Sequence, residues 1–449
     1  MVKKGFSFVI RGGTLVDATG VRRADLLVED GLISASAPEV DPSKKYLEID
    51  ARGLVVSPGF VDLHTHLREP GNERSETMLT GGLAGILGGY TALVAMPNTT
   101  PTIDSPEAVK YAQDIAKDAP LDIYFAGAIT KGRLGGNLTE MSKMADLGIK
   151  LFTDDGSGVQ DAQLMRRALE FAKGIGVTLA QHCEDLKLAN GGLINEGAVS
   201  SILGVAGIPN AAEDVMVARD LELVRLVGAR LHFLHISTAH SAEMVRMAKA
   251  EGLSVTAEVT PHHLVLSDSK LMGFDPVFKV NPPLRSETDR LGLWSAFRGG
   301  TFDAVATDHA PHHRDLKDTT LDEAPFGLIG LQASFGAVLG ELYRQLDLGH
   351  GNGGDSSGLS DEQLVDLVSL FTWKPARIAQ ISHMHGCQLV AGSPANITIF
   401  DPQARWRLAE ADLVSISKNS PYFDTDLVGK VLYTFVNGDL KLKEGELCL

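Results

Sequence analysis

Short apolar runs alternate with amphipathic stretches through the middle of the chain, from Ser57 to about residue 345. Eight of the runs are mainly apolar, instead of apolar only at every second position, which is typical of strands buried on both faces of a parallel sheet. They are Gly59–Leu63, Tyr90–Met96, Leu121–Ala128, Ile149–Phe152, Val177–Gln181, Ala229–Leu234, Leu253–Val259 and Phe302–Ala306. With amphipathic helices between them, such as 162–173 and 242–250, they predict an α/β protein with a (β/α)8 barrel similar to a TIM barrel. An open doubly wound sheet is the alternative, because periodicity alone does not close a barrel.

Strand-like segments with turn residues between them occur at both ends of the chain, at 6–10, 25–28 and 46–49 and again at 395–400 and 430–436. Neither end has enough strands to bury a face alone, so we expect the two termini to pair in one small β-sandwich domain beside the barrel. The predicted boundaries are 1–56 and 381–449 for the two parts of this domain, and 57–380 for the barrel. A helical stretch is expected over 361–381, and a polar, mobile glycine-rich loop over 349–358.

Composition and charge narrow the range of partners. The 449 residues include 41 Lys and Arg against 57 Asp and Glu, which gives a net charge of −16, and no basic run reverses this locally. Such a chain repels nucleic acid and anionic lipid. No apolar stretch reaches the roughly 18 residues of a membrane helix. The three cysteines, at 183, 387 and 448, lack CxxC spacing, which predicts a cytoplasmic protein without disulfides.

Candidate metal ligands lie where the apolar runs end. His64 and His66, two residues apart on the first predicted strand, point to the same face and can reach one metal ion. His182 follows the fifth run, His235 follows the sixth, and Asp308 follows the eighth. Because the carboxyl ends of all strands in a (β/α)8 barrel meet on one face, we expect these side chains to form a single metal site.

Two further acids, Asp154 and Asp155, end the fourth run. A carboxylate there can bridge two cations, and a set of imidazoles with few carboxylates suits zinc, with cobalt, nickel or manganese as substitutes. Two ions about 3.5–4 Å apart would share a water molecule and lower its pKa toward neutrality, which provides a bridging hydroxide. Asp308 is the predicted catalytic base, since one oxygen can bind metal while the other accepts the proton of the water.

Nine segments together carry a resemblance to a known family. HxH alone indicates the amidohydrolase superfamily, whereas HLREPG, MPNT, VNPPLR and DHAPH together resemble the dihydroorotase family of the bacterial type, over nearly the whole chain. The segments are 57–71, 96–99, 154–156, 181–185, 235–238, 257–263, 280–285, 306–312 and 323–327. The resemblance implies a zinc-dependent, reversible cyclisation of N-carbamoyl-L-aspartate to L-dihydroorotate in pyrimidine biosynthesis.

The resemblance also implies a ligand set with two zinc ions per subunit. One ion would be held by His64, His66 and Asp308, and the other by His182 and His235. Asp155 would bridge the two ions. Asp154 and a carboxylated Lys150 remain alternatives for the bridge, because some relatives place such a lysine near the end of the fourth strand.

By the same resemblance, Arg68, Asn98 and His312 would bind the substrate carboxylate. Asn281 and the backbone around Phe326 and Gly327 would face the ring. Each polar residue also has a structural alternative: a surface salt bridge for Arg68, a cap of the helix near Ser105 for Asn98, and the support of a Pro-Pro turn for Asn281.

The remaining histidines have less specific interpretations. His262 and His263 either line the pocket or fill satisfied polar positions. We expect surface positions for His313, His350, His383 and His385, and a core position for the Cys183 thiol.

Two other functions compete. Dihydropyrimidinase and allantoinase act on related neutral rings and would have no use for Arg68 together with His312. A non-catalytic scaffold for a partner such as aspartate transcarbamoylase would have lost ligands, whereas all matched ligand positions are filled here. A homodimer and association with aspartate transcarbamoylase are implied by the family alone.

Overall fold

The protein is described by a computed structural model over residues 7–41, 46–348, 358–423 and 425–448. The predicted glycine-rich loop therefore lies outside the described residues, apart from Gly358. Among the described residues, no helix has both the length and the apolar character that crossing a membrane requires.

Among the described residues, the strands lie in three groups along the chain: two terminal groups that form the shared sheet and a central group that includes the barrel strands. Five belong to the N-terminal segment: β1 Phe8–Asp17, β2 Gly20–Glu29, β3 Leu32–Ala37, β4 Leu47–Asp50 and β5 Val55–Pro58. The central region contains β6 Phe60–Thr65, β7 Tyr90–Ala95, β8 Asp122–Phe125, β9 Leu151–Thr153, β10 Thr178–Gln181, β11 Ile194–Asn195, β12 Gly207–Ile208, β13 Leu231–Phe233, β14 Val255–Val259 and β15 Ala304–Val305. The C-terminal segment adds β16 Ile397–Trp406, β17 Leu427–Val436, β18 Asp439–Lys443 and β19 Glu446–Leu447.

Helices alternate with the central strands. They are α1 Met78–Leu87, α2 Pro106–Ile115, α3 Met141–Asp146, α4 Ala162–Ile175, α5 Leu186–Ala189, α6 Ala198–Leu203, α7 Ala211–Val227, α8 Ala239–Ala250, α9 Pro261–Val265, α10 Glu287–Arg298, α11 Arg314–Lys317, α12 Ser334–Gln345, α13 Asp361–Phe371 and α14 Trp373–Ile378. In α4, Asp161 caps the first turn and Gly176, with φ of 73°, ends the helix. The helix expected over 361–381 is instead divided at Thr372, which has non-helical dihedral angles.

The central strands close into a ring. Strands β6, β7 and β8 form one parallel sheet, and β9, β10, β13, β14 and β15 form another. A parallel bridge between Gly127 and Phe152 joins β8 to β9, and a bridge between Thr65 and His309 joins β6 to the segment after β15. The His66 N–H donates to the His309 carbonyl at 2.8 Å on the same side. The predicted barrel is therefore confirmed over the open sheet.

The two chain ends share one sheet, as the sequence predicts. Its order is β19-β18-β17-β16-β5-β1-β2-β3, with β4 beside β1, so the antiparallel pair β16 and β5 joins strands from the two ends of the chain. The ring of Phe8 in β1 stacks on that of Phe435 in β17, with centroids 4.3 Å apart. Because two other strands lie between β1 and β17 in the sheet order, the sheet curls over its own apolar core. The domain boundaries at 56/57 and 380/381 stay a prediction.

A buried histidine joins this sheet to the bottom of the barrel. His385 is completely buried. Its Nε2 donates to Asp122 Oδ2 at 2.8 Å, and its Nδ1 accepts from Thr91 Oγ1 at 3.1 Å. Asn437 Nδ2 also donates to the Asp122 carboxylate, at 3.2 Å. Burial alone would raise the pKa of Asp122, but His385 holds it below its ordinary value. The surface position expected for His385 is wrong, because its partners are remote in sequence.

We expect His385→Ala to destabilise the protein by about 2 kcal/mol, because Thr91 and Asp122 each lose a buried partner. The measurement is the midpoint and slope of urea unfolding. His383→Ala is the matched control, since His383 is exposed two residues away. Equal stability of the two variants would contradict the junction described above.

Candidate active site

A cavity of about 220 Å³ lies at the carboxyl ends of the barrel strands. Five of the predicted metal ligands line it, namely His66, Asp155, His182, His235 and Asp308. All six predicted substrate-binding residues also line it, namely Arg68, Asn98, Asn281, His312, Phe326 and Gly327. His64 is fully buried beneath them. The fold thus brings every predicted site residue to one place.

The Asp155 carboxylate is shared by two clusters of metal-ligating atoms. Oδ1 of Asp155 lies 3.4 Å from His64 Nε2, and Oδ2 lies 3.5 Å from His66 Nε2. Oδ1 also lies 3.6 Å from His182 Nδ1 and 3.6 Å from His235 Nε2. Each cluster, His64–His66–Asp155 and Asp155–His182–His235, converges closely enough to hold one ion.

Asp308 completes the first cluster, since its Oδ1 lies 3.0 Å from His66 Nε2 and 3.6 Å from His64 Nε2. Neighbouring ligand atoms around a tetrahedral zinc ion are about 3.3 Å apart, which follows from Zn–N and Zn–O lengths near 2 Å. His64 Nε2 is buried and has no hydrogen-bond partner among the described residues. These residues therefore fit a pair of cations.

The alternatives for the bridging ligand differ in position. Asp154 Oδ1 accepts from the backbone N–H groups of Ile129 and Thr130, both at 2.9 Å, so this carboxylate ties two loops together. Lys150 is partly exposed and is not among the residues that line the cavity. Only Asp155 of the three belongs to the two described clusters.

The backbone turns sharply at three site residues that follow barrel strands. His235, Asp308 and Arg68 have φ angles of 30°, 46° and 62°. Residues other than glycine reach this left-handed region at a cost of about 1–3 kcal/mol each. Strain at three site residues indicates that the surrounding barrel fixes the backbone for function.

Sequence reasoning missed the carboxylate that orients His64. Glu258 on β14 accepts from His64 Nδ1 at 2.8 Å, from His232 Nε2 at 2.9 Å and from the His235 N–H at 3.2 Å. Burial alone would raise the pKa of Glu258, but His232 and His64 lower it to about 2. A charged Glu258 fixes the Nδ1–H tautomer of His64 and leaves Nε2 for metal. The available signal was a single charged residue inside an otherwise uncharged strand.

A second carboxylate that sequence reasoning missed is that of Asp62, two residues before His64 on β6. Asp62 Oδ1 accepts from the Thr307 N–H at 3.1 Å and from the His64 N–H at 3.1 Å, and its Oδ2 accepts from Thr307 Oγ1 at 2.5 Å. Burial raises the pKa of Asp62 to about 7. These bonds join β6 to the residue before Asp308, so Asp62 connects two ligand-bearing strand ends.

The predicted substrate residues are held by one another and by the backbone. Arg68 Nε donates to the Pro311 carbonyl at 3.0 Å, and His312 Nε2 donates to the Phe326 carbonyl at 2.7 Å. Burial, with the nearby Arg68 charge, lowers the pKa of His312 to about 3. Burial lowers the pKa of Arg68 to about 10. At neutral pH this side of the cavity therefore has a charged guanidinium beside a neutral imidazole.

The side-chain amides of Asn98 and Asn281 both contact groups near the predicted metal ligands, and Asn98 does not cap α2. Asn98 Oδ1 accepts from His66 Nδ1 at 2.9 Å, whereas Ser105 caps α2. Asn281 Nδ2 donates to Glu184 Oε2 at 3.1 Å. Both amides thus lie between the cavity and groups next to the metal ligands.

The two neighbouring histidines differ. His263 forms hydrogen bonds with Thr260 and with the Pro282 carbonyl. It therefore fills a satisfied polar position, which is one of the two roles that the sequence left open. His262 is fully buried, and neither ring nitrogen has a partner among the described residues. Cys183 is a buried free thiol, as predicted.

Solved structures share this fold. L-Hydantoinase (dihydropyrimidinase) from Arthrobacter aurescens superposes with a TM-score of 0.87 at 24% identity, covering 99% of this chain and 98% of that one. Dihydropyrimidinase from Brevibacillus agri gives 0.84 at 22% identity, covering 98% and 96%. These structures share the fold of this chain, in which both buried clusters of metal-ligating atoms lie at the carboxyl ends of the barrel strands.

Sequence comparison is more specific. The dihydro-orotase-like family model matches residues 53–241. The dihydroorotase of Geobacter sp. is 40% identical over 98% of this chain and 100% of its own length. That of Mycobacterium tuberculosis is 42% identical over 95% of this chain and 96% of its own length. The chain belongs to the dihydroorotase family.

Glu258→Gln is expected to weaken metal binding about 10–100-fold, because an amide no longer fixes the His64 tautomer. The measurement is competition for zinc with a chelator dye, at a pH where the wild type binds fully. Glu39→Gln, at an exposed position just after β3, controls for the lost charge. Unchanged zinc affinity in Glu258→Gln would show that this carboxylate does not orient the ligand.

Proposed function

We propose that this chain interconverts N-carbamoyl-L-aspartate and L-dihydroorotate. The observation that carries the proposal is the position of Arg68 on the wall of the same cavity as the shared Asp155 carboxylate. The substrate has a carboxylate that does not react, and a guanidinium offers it two parallel donors. A neutral ring such as dihydrouracil has no group to use this charge. The family membership and the two ligand clusters support the same reaction.

We infer two zinc ions per subunit, one between His64, His66 and Asp308 and one between His182 and His235, with Asp155 as the shared ligand. Imidazole and carboxylate donors at these separations suit zinc. When bound, the ions would supply Lewis acidity toward the ring carbonyl and acidify a water molecule. Glu258 and Asn98 hold His64 and His66 in the tautomers that present Nε2 to the ion.

Asp308 is the proposed catalytic acid and base. Its Oδ1 belongs to the first cluster, which leaves Oδ2 to accept a proton from the attacking water and to deliver it to the ring nitrogen as the amide opens. Ring closure uses the same groups in reverse. Arg68 and Asn98 bind the carboxylate and so fix the ring, and the Nε2–H of His312 joins them by leaving the Phe326 carbonyl for the substrate carboxylate. Asn281 and the Phe326–Gly327 backbone face the amides of the ring.

The family and the composition also support a proposal for the compartment, the oligomeric state and the partner of the protein. We propose a cytoplasmic homodimer that associates with aspartate transcarbamoylase. The three free cysteines support a reducing compartment. A neutral-ring hydrolase and a scaffold without activity are outcomes of the assay that follows.

The direct assay is hydrolysis of L-dihydroorotate by the zinc-loaded protein, with dihydrouracil and allantoin as alternative substrates and a chelated sample as control. We expect chelator-sensitive turnover of dihydroorotate alone, because Arg68 discriminates by charge. Turnover of a neutral ring would overturn the carboxylate role. Inactivity toward all three would favour the scaffold function.

The equilibrium has a pH dependence of known sign. The dianionic N-carbamoyl-L-aspartate takes up one proton when it closes to the monoanionic ring, so acidification favours L-dihydroorotate. Each pH unit is expected to shift the ratio about tenfold above the carboxylate pKa values. Chromatography of both compounds at equilibrium measures the ratio, and a ratio independent of pH would exclude this reaction.

Two variants separate binding from chemistry. Arg68→Met should raise KM for dihydroorotate by about 10–100-fold with a smaller change in kcat, because it removes a bidentate contact to a group that does not react. Asp308→Asn should abolish turnover and still bind the ring. Steady-state kinetics and calorimetric titration provide the two readouts. An unchanged KM for Arg68→Met would refute its assignment.

The bridging assignment is tested by metal counting. Asp155→Ala should lose at least one of two zinc ions, because both clusters share this carboxylate, whereas Lys150→Ala should retain both. Atomic absorption on dialysed protein gives the stoichiometry. The reverse pattern would assign the bridge to a carboxylated Lys150.

A further inference from the structure

Two buried lysines lie beside the cavity without a carboxylate partner. The side chains of Lys279 and Lys317 are buried, with residue exposures of 3% and 8%. Among the described residues, no Asp or Glu oxygen lies within the 4.0 Å ion-pair distance of either ammonium. An ammonium in such a position loses hydration that no opposite charge replaces, so it is rarely retained without a role.

The two lysines, here called the lysine pair, crosslink the same two segments in opposite directions. Lys317 Nζ donates to the carbonyls of Pro276 at 2.8 Å, Lys279 at 3.2 Å and Pro325 at 2.8 Å. Lys279 Nζ donates to the Leu321 carbonyl at 2.7 Å. Segment 276–279 and segment 317–325 are therefore held together by two buried ammonium groups.

This crosslink fixes one edge of the cavity. Lys279 Nζ lies 4.7 Å from the centroid of the Phe326 ring, and the Lys279 carbonyl accepts from the Gly327 N–H at 2.9 Å. The Phe326 carbonyl is the acceptor of His312 Nε2. A Cβ at Gly327 would lie only 2.8 Å from His312 Nε2, so this edge packs tightly against a residue proposed to bind the carboxylate.

We propose that the lysine pair determines specificity: it positions the Phe326–Gly327 edge and supplies buried positive charge that favours a ring bearing a carboxylate over a neutral ring. This inference rests on the proposed function and deepens it. Arg68 is the direct contact to the carboxylate. The lysine pair acts through the cavity edge and through its charge, which is poorly screened because it is buried.

The charge near this edge changes close to neutral pH. Burial, with the repulsion of Lys279, lowers the pKa of Lys317 to about 7, against the opposing attraction of Asp275. Burial also lowers the pKa of Lys279, against the attraction of Asp322. An anionic ring binds better to the protonated pair, so its affinity is expected to fall as pH rises through the pKa of Lys317.

The other charged groups at this wall have constant charge over the same range. Arg68, with a pKa near 10, stays charged between about pH 6 and about pH 8.5, and His312, with a pKa near 3, stays neutral. A neutral ring provides the reference for changes that affect both ligands alike. A zinc-bound water that titrates in this range acts alike in the wild type and in a variant with constant charge at position 317, so the difference between their affinity ratios reports the lysine pair.

The test uses Lys317→Met, which keeps the length of the side chain and removes the charge. Near pH 6 we expect KM for L-dihydroorotate to rise about tenfold, with kcat and the inhibition constant of dihydrouracil each within about twofold of wild type. Bound zinc should be unchanged. Lys443→Met, at an exposed position of β18, is the matched control and should leave all values unchanged. An unchanged KM, or an equal loss for both rings, would overturn the proposal.

A second measurement needs no variant. In the wild type, the affinity for dihydroorotate relative to dihydrouracil should fall at least about threefold between about pH 6 and about pH 8.5. In Lys317→Arg, which keeps its charge over this range, the ratio should fall less than in the wild type, and an equal fall in both proteins would refute the proposal. A constant ratio in the wild type would refute the proposal even if Lys317→Met did not fold. Both affinities can be measured by equilibrium binding, which needs no turnover. Failure of the proposed reaction can therefore be distinguished from failure of the role proposed for the lysine pair.

Discussion

The structure depends on one electrostatic constraint, which is the burial of the Asp155 carboxylate among four imidazoles. Its oxygens lie 3.4–3.6 Å from nitrogens of His64, His66, His182 and His235. Burial alone would raise the pKa of Asp155, but the imidazoles, His64 foremost, hold it well below its ordinary value. Buried imidazole and carboxylate groups that lie this close together raise the free energy of the metal-free protein, because their ligand atoms have lost hydration. Bound cations compensate for this cost. Metal binding and the folding of this face are therefore coupled.

The barrel satisfies this constraint by bringing distant residues to one face. His64 and Asp308 are separated by most of the barrel sequence, yet their strands are neighbours where the ring closes. Asp62 accepts from the backbone of both His64 and Thr307, so the residue that closes the ring also sets the relative position of two ligands. The same hydrogen bonds thus close the barrel and fix the geometry of the site.

The features that sequence reasoning predicted are those with a local signature. Mainly apolar runs predict parallel strands, and His64 with His66 at a two-residue spacing predicts a shared ligand face. His385 and Lys317 gave no such signature, because each is defined by partners far away in the chain. The resemblance named the residues that face the cavity, but their supporting contacts became visible only in the fold. The break at Thr372 lies three residues before Pro375, which has no N–H to donate to the carbonyl of Phe371 and so interrupts the helix; apolar periodicity does not describe this effect.

The most direct test of the account is anomalous diffraction from crystals of the zinc-loaded protein, with data collected on both sides of the zinc absorption edge. The account predicts two peaks about 3.5–4 Å apart, one beside His66 and Asp308 and the other beside His182 and His235, with the Asp155 carboxylate between them. A single peak, or two peaks that do not share Asp155, would contradict the binuclear centre on which the proposed chemistry depends.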